Sequence, residues 1–289
     1  MKTRSKWLLG VTLVMVLFLL GACGETKDKS EKTNTKAQNE SSSKTEAKSD
    51  KPMLISEALD KYNMWFKTDG DPNRNSKVRD VYVFKDGKAI HYYQNTSEPL
   101  TLEKINSMTD KEVIEFLEKE DKDSYKSEGD YKLNIMLDQL GQTTEIITLV
   151  INNKLIKRVS PLESFAFENI GSDDSIRKKY NNDEYAYLNA LKDGKEKVYT
   201  ESEIEKNKII NHEVKGDYQI TTKEINEESE LDFIQSFVHQ TILKTTYAGI
   251  FVNADESLIT RVENDSYPGL ILDTPEAKGK GVTIESIKK

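Results

Sequence analysis

The stretch Asp80-Val81-Tyr82-Val83-Phe84-Lys85-Asp86-Gly87-Lys88-Ala89-Ile90-His91-Tyr92-Tyr93 decides the fold class. Two runs rich in β-branched and aromatic residues flank Asp86-Gly87, a pair that accepts positive φ at little cost. The stretch therefore reads as a β-hairpin closed by a two-residue turn. Just upstream, 64–67 reads as a strand and 69–77 as a polar loop. Downstream, 131–139, 144–151 and 154–159 read as a three-stranded antiparallel meander. Its breaks fall at Leu140-Gly141-Gln142-Thr143 and at Asn152-Asn153, and Phe165-Ala166-Phe167 adds a further short strand. A second hairpin is expected from 247–252 and 257–262 across Asn253-Ala254-Asp255-Glu256, and a tail strand at 281–287.

Helical signals fall between the hairpins. Residues 56–62 read as a short helix with Ser56 as N-cap. Thr109-Asp110-Lys111-Glu112 and Thr200-Glu201-Ser202-Glu203 match capping boxes, the first followed by Val113, Phe116 and Leu117 at helical spacing. The polar segment 171–194 ends in a helix, and Leu231, Ile234, Val238 and Ile242 mark one face of a helix over 228–244. Strands in hairpins with helices between them predict an α+β protein with antiparallel sheets. The body divides at 52–160 and 161–289, either as two lobes joined near 160–195 or as one continuous domain.

The N-terminus has a different character. Lys2, Arg4 and Lys6 precede an uncharged, mainly apolar run over 7–20 that ends in Leu20-Gly21-Ala22-Cys23. This is the layout of a secretory signal peptide. The run falls short of the roughly 20 residues that cross a bilayer core. Its end resembles the lipobox of bacterial lipoproteins, and Cys23 is the only cysteine of the 289 residues. The resemblance implies that residues 1–22 are cleaved, that Cys23 carries a diacylglyceryl group, and that the protein is held on the outer face of the cell membrane. Residues 24–51 contain no aromatic and only Ala among the aliphatics, so they read as a disordered tether. Its mean reach is about 30 Å.

Charge narrows the partners. The formal net charge is −8, and loss of residues 1–22 removes three positive and no negative groups, giving −11. Such a body disfavours nucleic acid, and it needs a lipid to stay near an anionic membrane. The expected partner is therefore an envelope protein, peptide or glycan.

Candidate chemistry is sparse. Residues 69–80 place oxygen side chains at positions 1, 3, 5, 7 and 12, which partly resembles EF-hand-like and dockerin-type calcium loops. Arg74 stands where the turn needs glycine, Asp80 replaces the bidentate glutamate, and Arg74, Lys77 and Arg79 oppose a cation. His91, His212 and His239 lie far apart, with no zinc-type spacing. SxxK occurs at Ser41/Lys44, Ser175/Lys178 and Ser286/Lys289 without partner motifs. We therefore expect no catalytic residue, metal or cofactor, and assign Cys23 alone as a site, for lipid attachment. Trp65, Phe66, Tyr82, Tyr92 and Tyr93 read as core. The reading is a surface lipoprotein with an acidic binding ectodomain; the alternative is an exported enzyme acting on envelope polymer.

Overall fold

The computed structural model describes residues 51–96, 98–119 and 123–286, all within one compact unit spanning Lys48–Lys289. Residues 1–50, on which the expected leader, Cys23 and most of the expected tether fall, lie outside the described residues. In chain order the body opens with β1 (Met53–Leu54), α1 (Ile55–Lys61), β2 (Met64–Asp69), β3 (Lys77–Lys85), β4 (Lys88–Gln94) and β5 (Leu100–Thr101). Next come α2 (Leu102–Asn106), α3 (Asp110–Leu117), β6 (Ser124–Leu137) and β7 (Thr144–Pro161). A helical layer follows: α4 (Leu162–Ser172), α5 (Asp174–Lys179), α6 (Glu184–Lys192) and α7 (Glu201–Lys206). The chain closes with β8 (Ile209–Lys215), β9 (Tyr218–Phe233), β10 (Phe237–Ile242), β11 (Thr245–Asn253), β12 (Glu256–Val262), β13 (Leu270–Ile271) and β14 (Val282–Ser286).

This is an α+β protein built on antiparallel pairing. Among the described residues one 12-stranded sheet runs β10-β11-β12-β2-β3-β4-β6-β7-β9-β8, with β5 on β3 and β14 parallel to β6. The quoted hairpin forms as expected: Asp86 (φ 52°) and Gly87 (φ 75°) make the turn, and β3 pairs β4 from Lys85↔Lys88 to Asp80↔Tyr93. The sheet also curls back on itself. Ile234 N–H donates to Phe251 C=O at 3.0 Å and Phe251 N–H to Ser236 C=O at 2.9 Å, which brings the end of β9 to β11.

Two cores lie on opposite faces of the curled strands. Trp65 and Phe66 are adjacent, both wholly buried, and enter different cores, as period-two side chains must. Inside the curl Trp65 joins Phe84, Ile135, Leu149 and Leu258, with Ile55, Ala58 and Leu59 of α1 plugging the interior. Outside, Phe66, Val81 and Tyr92 are covered by α2 and α3 through Leu102, Ile105, Val113 and Leu117. Full burial of each large side chain contributes about 1.5–3 kcal/mol. A third core joins Leu162, Ala166 and Ile170 of α4 to Tyr187, Leu188 and Leu191 of α6.

Several expectations are corrected. The meander has no turn at Asn152-Asn153: β7 runs unbroken from Thr144 to Pro161, and the two asparagines sit at a bulge between Asn153 and Leu155. Opposite them stands Gly129, where a Cβ would lie 1.9 Å from the Asn152 carbonyl oxygen. Absence of a side chain on β6 lets β7 kink without leaving the ladder. Phe165-Ala166-Phe167 is helical because Leu162, Ala166 and Ile170 recur every four residues and are buried together. No helix covers 228–244. Leu231 belongs to β9 and packs on the inner core, Val238 and Ile242 belong to β10 and enter the outer one. The helical spacing arises where two strands meet at a kink, and cross-strand pairing overrides it.

Ser56 is not an N-cap. Helix α1 begins at Ile55, and Ser56 turns inward to Asp273, which is wholly buried. The Asp273 carboxylate accepts the Ser56 hydroxyl, the Ser56 N–H at 2.9 Å and the Gly279 N–H at 3.0 Å, tying the C-terminal segment to the inner plug.

Gly129→Ala is expected to lower stability by about 1–3 kcal/mol, since its methyl group would have to displace the β7 backbone. Urea unfolding of the full-length chain measures it, with Gly171→Ala in α4, where an added Cβ meets open space, as comparison. A Gly129→Ala midpoint equal to wild type would show that the close approach is absent.

Candidate functional site

Strand register builds the site. Across β6, β7, β9 and β8 the residues Tyr125, Arg158, Thr221 and His212 stand directly opposite one another, so they share one face of the sheet. Ile156 pairs Lys223 and Ser160 pairs Gln219 in the flanking rows. The 3.6-residue period of α4 lays Ser164, Phe165 and Glu168 above this floor, and Tyr199 and Asn207 close the side. The result is a cavity of about 430 Å³ between sheet and helical layer. That volume suits a small ligand or a side chain or two of a larger one.

The floor is cationic in an acidic protein. Among the described residues neither Arg158 nor Lys223 has an ion-pair partner, whereas Lys67, Lys126, Lys179 and Lys192 all do. Gln219 is 8 % exposed and its Oε1 is buried with no hydrogen-bond partner. His212 Nε2 is likewise buried and unpartnered, and its ring meets Tyr199 edge-on at 5.0 Å. Burial lowers the His212 pKa against the opposing pull of Glu213, which favours the neutral ring.

A charge network abuts the floor on the same face. Lys67 Nζ lies 3.1 Å from Glu256 and 3.6 Å from Asp80, and His91 Nε2 lies 2.8 Å from Asp80 Oδ1. The His91 ring stacks on Tyr82 at 4.4 Å and meets Tyr125 at 5.9 Å, which links the network to the cavity wall. Burial alone would raise the Asp80 pKa, but the hydrogen bond and charge of His91 and then Lys67 outweigh it, and the carboxyl ends below its ordinary 3.8. Tyr82 is pushed far up by burial and by the Asp80 charge beside it.

The residues singled out from sequence are scattered. Cys23 lies outside the described residues, as does the Ser41/Lys44 pair. In the 69–80 loop Asn73 Oδ1 accepts the Asn75 N–H and Ser76 Oγ accepts the Asn73 N–H. The loop carbonyls of Arg74 and Ser76 accept from Glu103 and Leu102 at the start of α2, so the loop caps a helix. Asp80, its twelfth residue, turns instead to His91 and Lys67. The three histidines sit on β4, β8 and β10, so His239 lies on a strand and not on the helix expected over 228–244. No group of three potential metal ligands occurs among the described residues. Ser175 donates to Asp173 at 2.6 Å within the α5 cap. Trp65, Phe66, Tyr82 and Tyr92 are buried, and Tyr93 is partly buried.

Comparison of the chain with family models, curated proteins and solved structures gives no match.

The cavity walls escaped the sequence reading because they come from five elements and two loops. The alternation Ile156-x-Arg158-x-Ser160 was the available signal, since a strand presenting Ile, Arg and Ser on one face is not covering an apolar core.

Asp80→Asn is expected to cost about 1–3 kcal/mol near neutral pH, because Lys67 and His91 lose a largely buried charged acceptor. The sign follows from the depressed pKa: ionised Asp80 contributes above 3.8, and the contribution is lost as pH falls below that value. Urea midpoints of wild type and variant should therefore converge on acidification toward about pH 2. A gap that persists unchanged there would contradict the arrangement.

Proposed function

We propose that the chain is a lipid-anchored binding protein of the cell surface. Residues 1–22 direct export, Cys23 carries a diacylglyceryl group, and 24–51 hold the body off the membrane. The folded body is a binder whose two working parts are the strand arm and the helical layer of 162–206. They act as the two lobes of a cleft, and the cavity between them receives part of an envelope protein, peptide or glycan.

One observation carries the reading of the cleft: two cations without ion-pair partners line a cavity that also contains Gln219, whose buried Oε1 has no partner. A buried polar group left unmatched is costly, so its place beside two free cations in a concave site favours a ligand that matches all three. The second reading, an exported enzyme, calls for a carboxylate held protonated toward neutrality. Among the described residues the carboxylates with shifted pKa, including Asp80, Glu196, Glu203 and Glu263, all move downward. That pattern favours binding over acid–base catalysis. The anchor rests on the Leu20-Gly21-Ala22-Cys23 resemblance.

Two experiments test the two halves. Cys23→Ala should leave uncut precursor or shed protein, read by detergent partition and mass spectrometry. A variant that stays membrane-bound at the mature size would refute lipidation. Ser164→Trp, an exposed α4 position at the cavity, should keep wild-type melting and lose ligands captured from envelope extract. Unchanged capture by the Trp variant would remove the cavity from the function.

A further inference from the structure

We infer that the cavity between β7, β9 and α4 recognises a carboxylate carried on a flat apolar body; this rests on the reading of the cavity as the binding site. The polar half of the argument is the floor. Arg158 and Lys223 occupy neighbouring rows of adjacent strands, Arg158 opposite Thr221 and Lys223 opposite Ile156. Both line the cavity, Arg158 exposed and Lys223 partly buried, and neither has an ion-pair partner among the described residues. An anion bound between two cations on one cavity wall would be attracted by both. The guanidinium fork of Arg158 matches the two oxygens of a carboxylate, and Lys223 supplies a point charge beside it. Gln219 Oε1, in the row beyond Arg158, is a buried acceptor without a partner and calls for a donor on another part of the ligand.

Charge count selects a monoanion. The cavity holds two cations and one carboxylate, Glu168 on the roof, so its net charge is about one positive, as the lining shows. A dianion would meet Glu168 as a repelling neighbour, whereas a single carboxylate on the floor leaves the roof for a neutral part of the ligand. Part of the remaining lining is flat and apolar, among the polar Ser160, Ser164, Asn207 and Thr221. Ile156 forms floor, Pro161 and Phe165 form roof, and the rings of Tyr125 and Tyr199 form sides. An aromatic or similarly flat group fits between such walls, offset against the rings. The net charge of −8 also works against indiscriminate anion uptake, so affinity depends on both halves of the ligand.

The test uses full-length protein in detergent micelles and saturation-transfer NMR with three probes: 4-phenylbutanoate, its uncharged amide 4-phenylbutanamide, and inorganic phosphate alone. Partition into micelles is removed by subtracting the signal of Ser164→Trp in the same detergent. The expected result is binding of the carboxylate about 10–100-fold tighter than the amide, as a hydrogen-bonded charge pair provides. Arg158→Gln and Lys223→Gln should each erase that preference at wild-type melting temperature, while Lys132→Gln, outside the cavity, should not. Phosphate should compete at least about tenfold more weakly than 4-phenylbutanoate. Equal binding of acid and amide, or a preference untouched by Arg158→Gln and Lys223→Gln, would overturn the carboxylate inference and leave the cavity as a site for neutral ligands. Phosphate competing as well as the carboxylate would overturn the apolar half. No difference between wild type and Ser164→Trp for any probe would overturn the inference together with the reading of the cavity.

Discussion

The contact between Gly129 and the Asn152 carbonyl is the constraint on which the rest of the molecule depends. There β7 carries one residue more than β6, and the extra residue has to go somewhere without breaking the ladder. With a side chain at 129 the strands could not close to that distance. With glycine there, β7 bends and continues. The bulge also changes parity: odd residues Ile147, Leu149 and Ile151 enter the inner core, while even residues Ile156, Arg158 and Ser160 stand on that same face beyond it. One face of β7 is thus apolar core at one end and cavity floor at the other. A strand without the bulge would turn Arg158 to the opposite face.

That geometry separates what was legible in the sequence from what was not. Asp86-Gly87 has one conformational use, a tight turn with positive φ, and it appears there. The capping boxes at Thr109 and Thr200 form because each satisfies backbone donors locally. Asn152-Asn153 has two uses, turn and bulge, and only the partner strand selects between them. Nothing within eight residues of Asn153 mentions Gly129. The 228–244 segment failed for a related reason, since the periodic residues Leu231, Val238 and Ile242 serve two cores on opposite faces of the sheet. At Phe165 the aromatics drew attention from Leu162, Ala166 and Ile170, which set the helix.

Site residues were less legible than elements. Arg158, Lys223 and Gln219 have ordinary neighbours in the chain, and only the register of three strands gives them a common face. His91 packs between Tyr82 and Tyr125 with Asp80 as its partner, contacts that only the pairing of β3, β4 and β6 brings about. The acidic residues dominate composition, so net charge described the exterior and hid a local cationic floor. Long-range charge and local recognition act on different scales: the first falls off within about 8–10 Å in salt, and the second works at contact.

Strand β7 passes straight through Asn152-Asn153 and thereby sets Arg158 between Tyr125 and Thr221. Cross-strand nuclear Overhauser contacts test it most directly. The account predicts backbone contacts for the pairs Gly129–Asn153, Tyr125–Arg158 and Arg158–Thr221. Contacts from Ile151 to Lys154 and from Leu149 to Ile156, with the three predicted pairs missing, would mean a hairpin at the asparagines. Arg158 would then leave the cavity floor, and the account would fail.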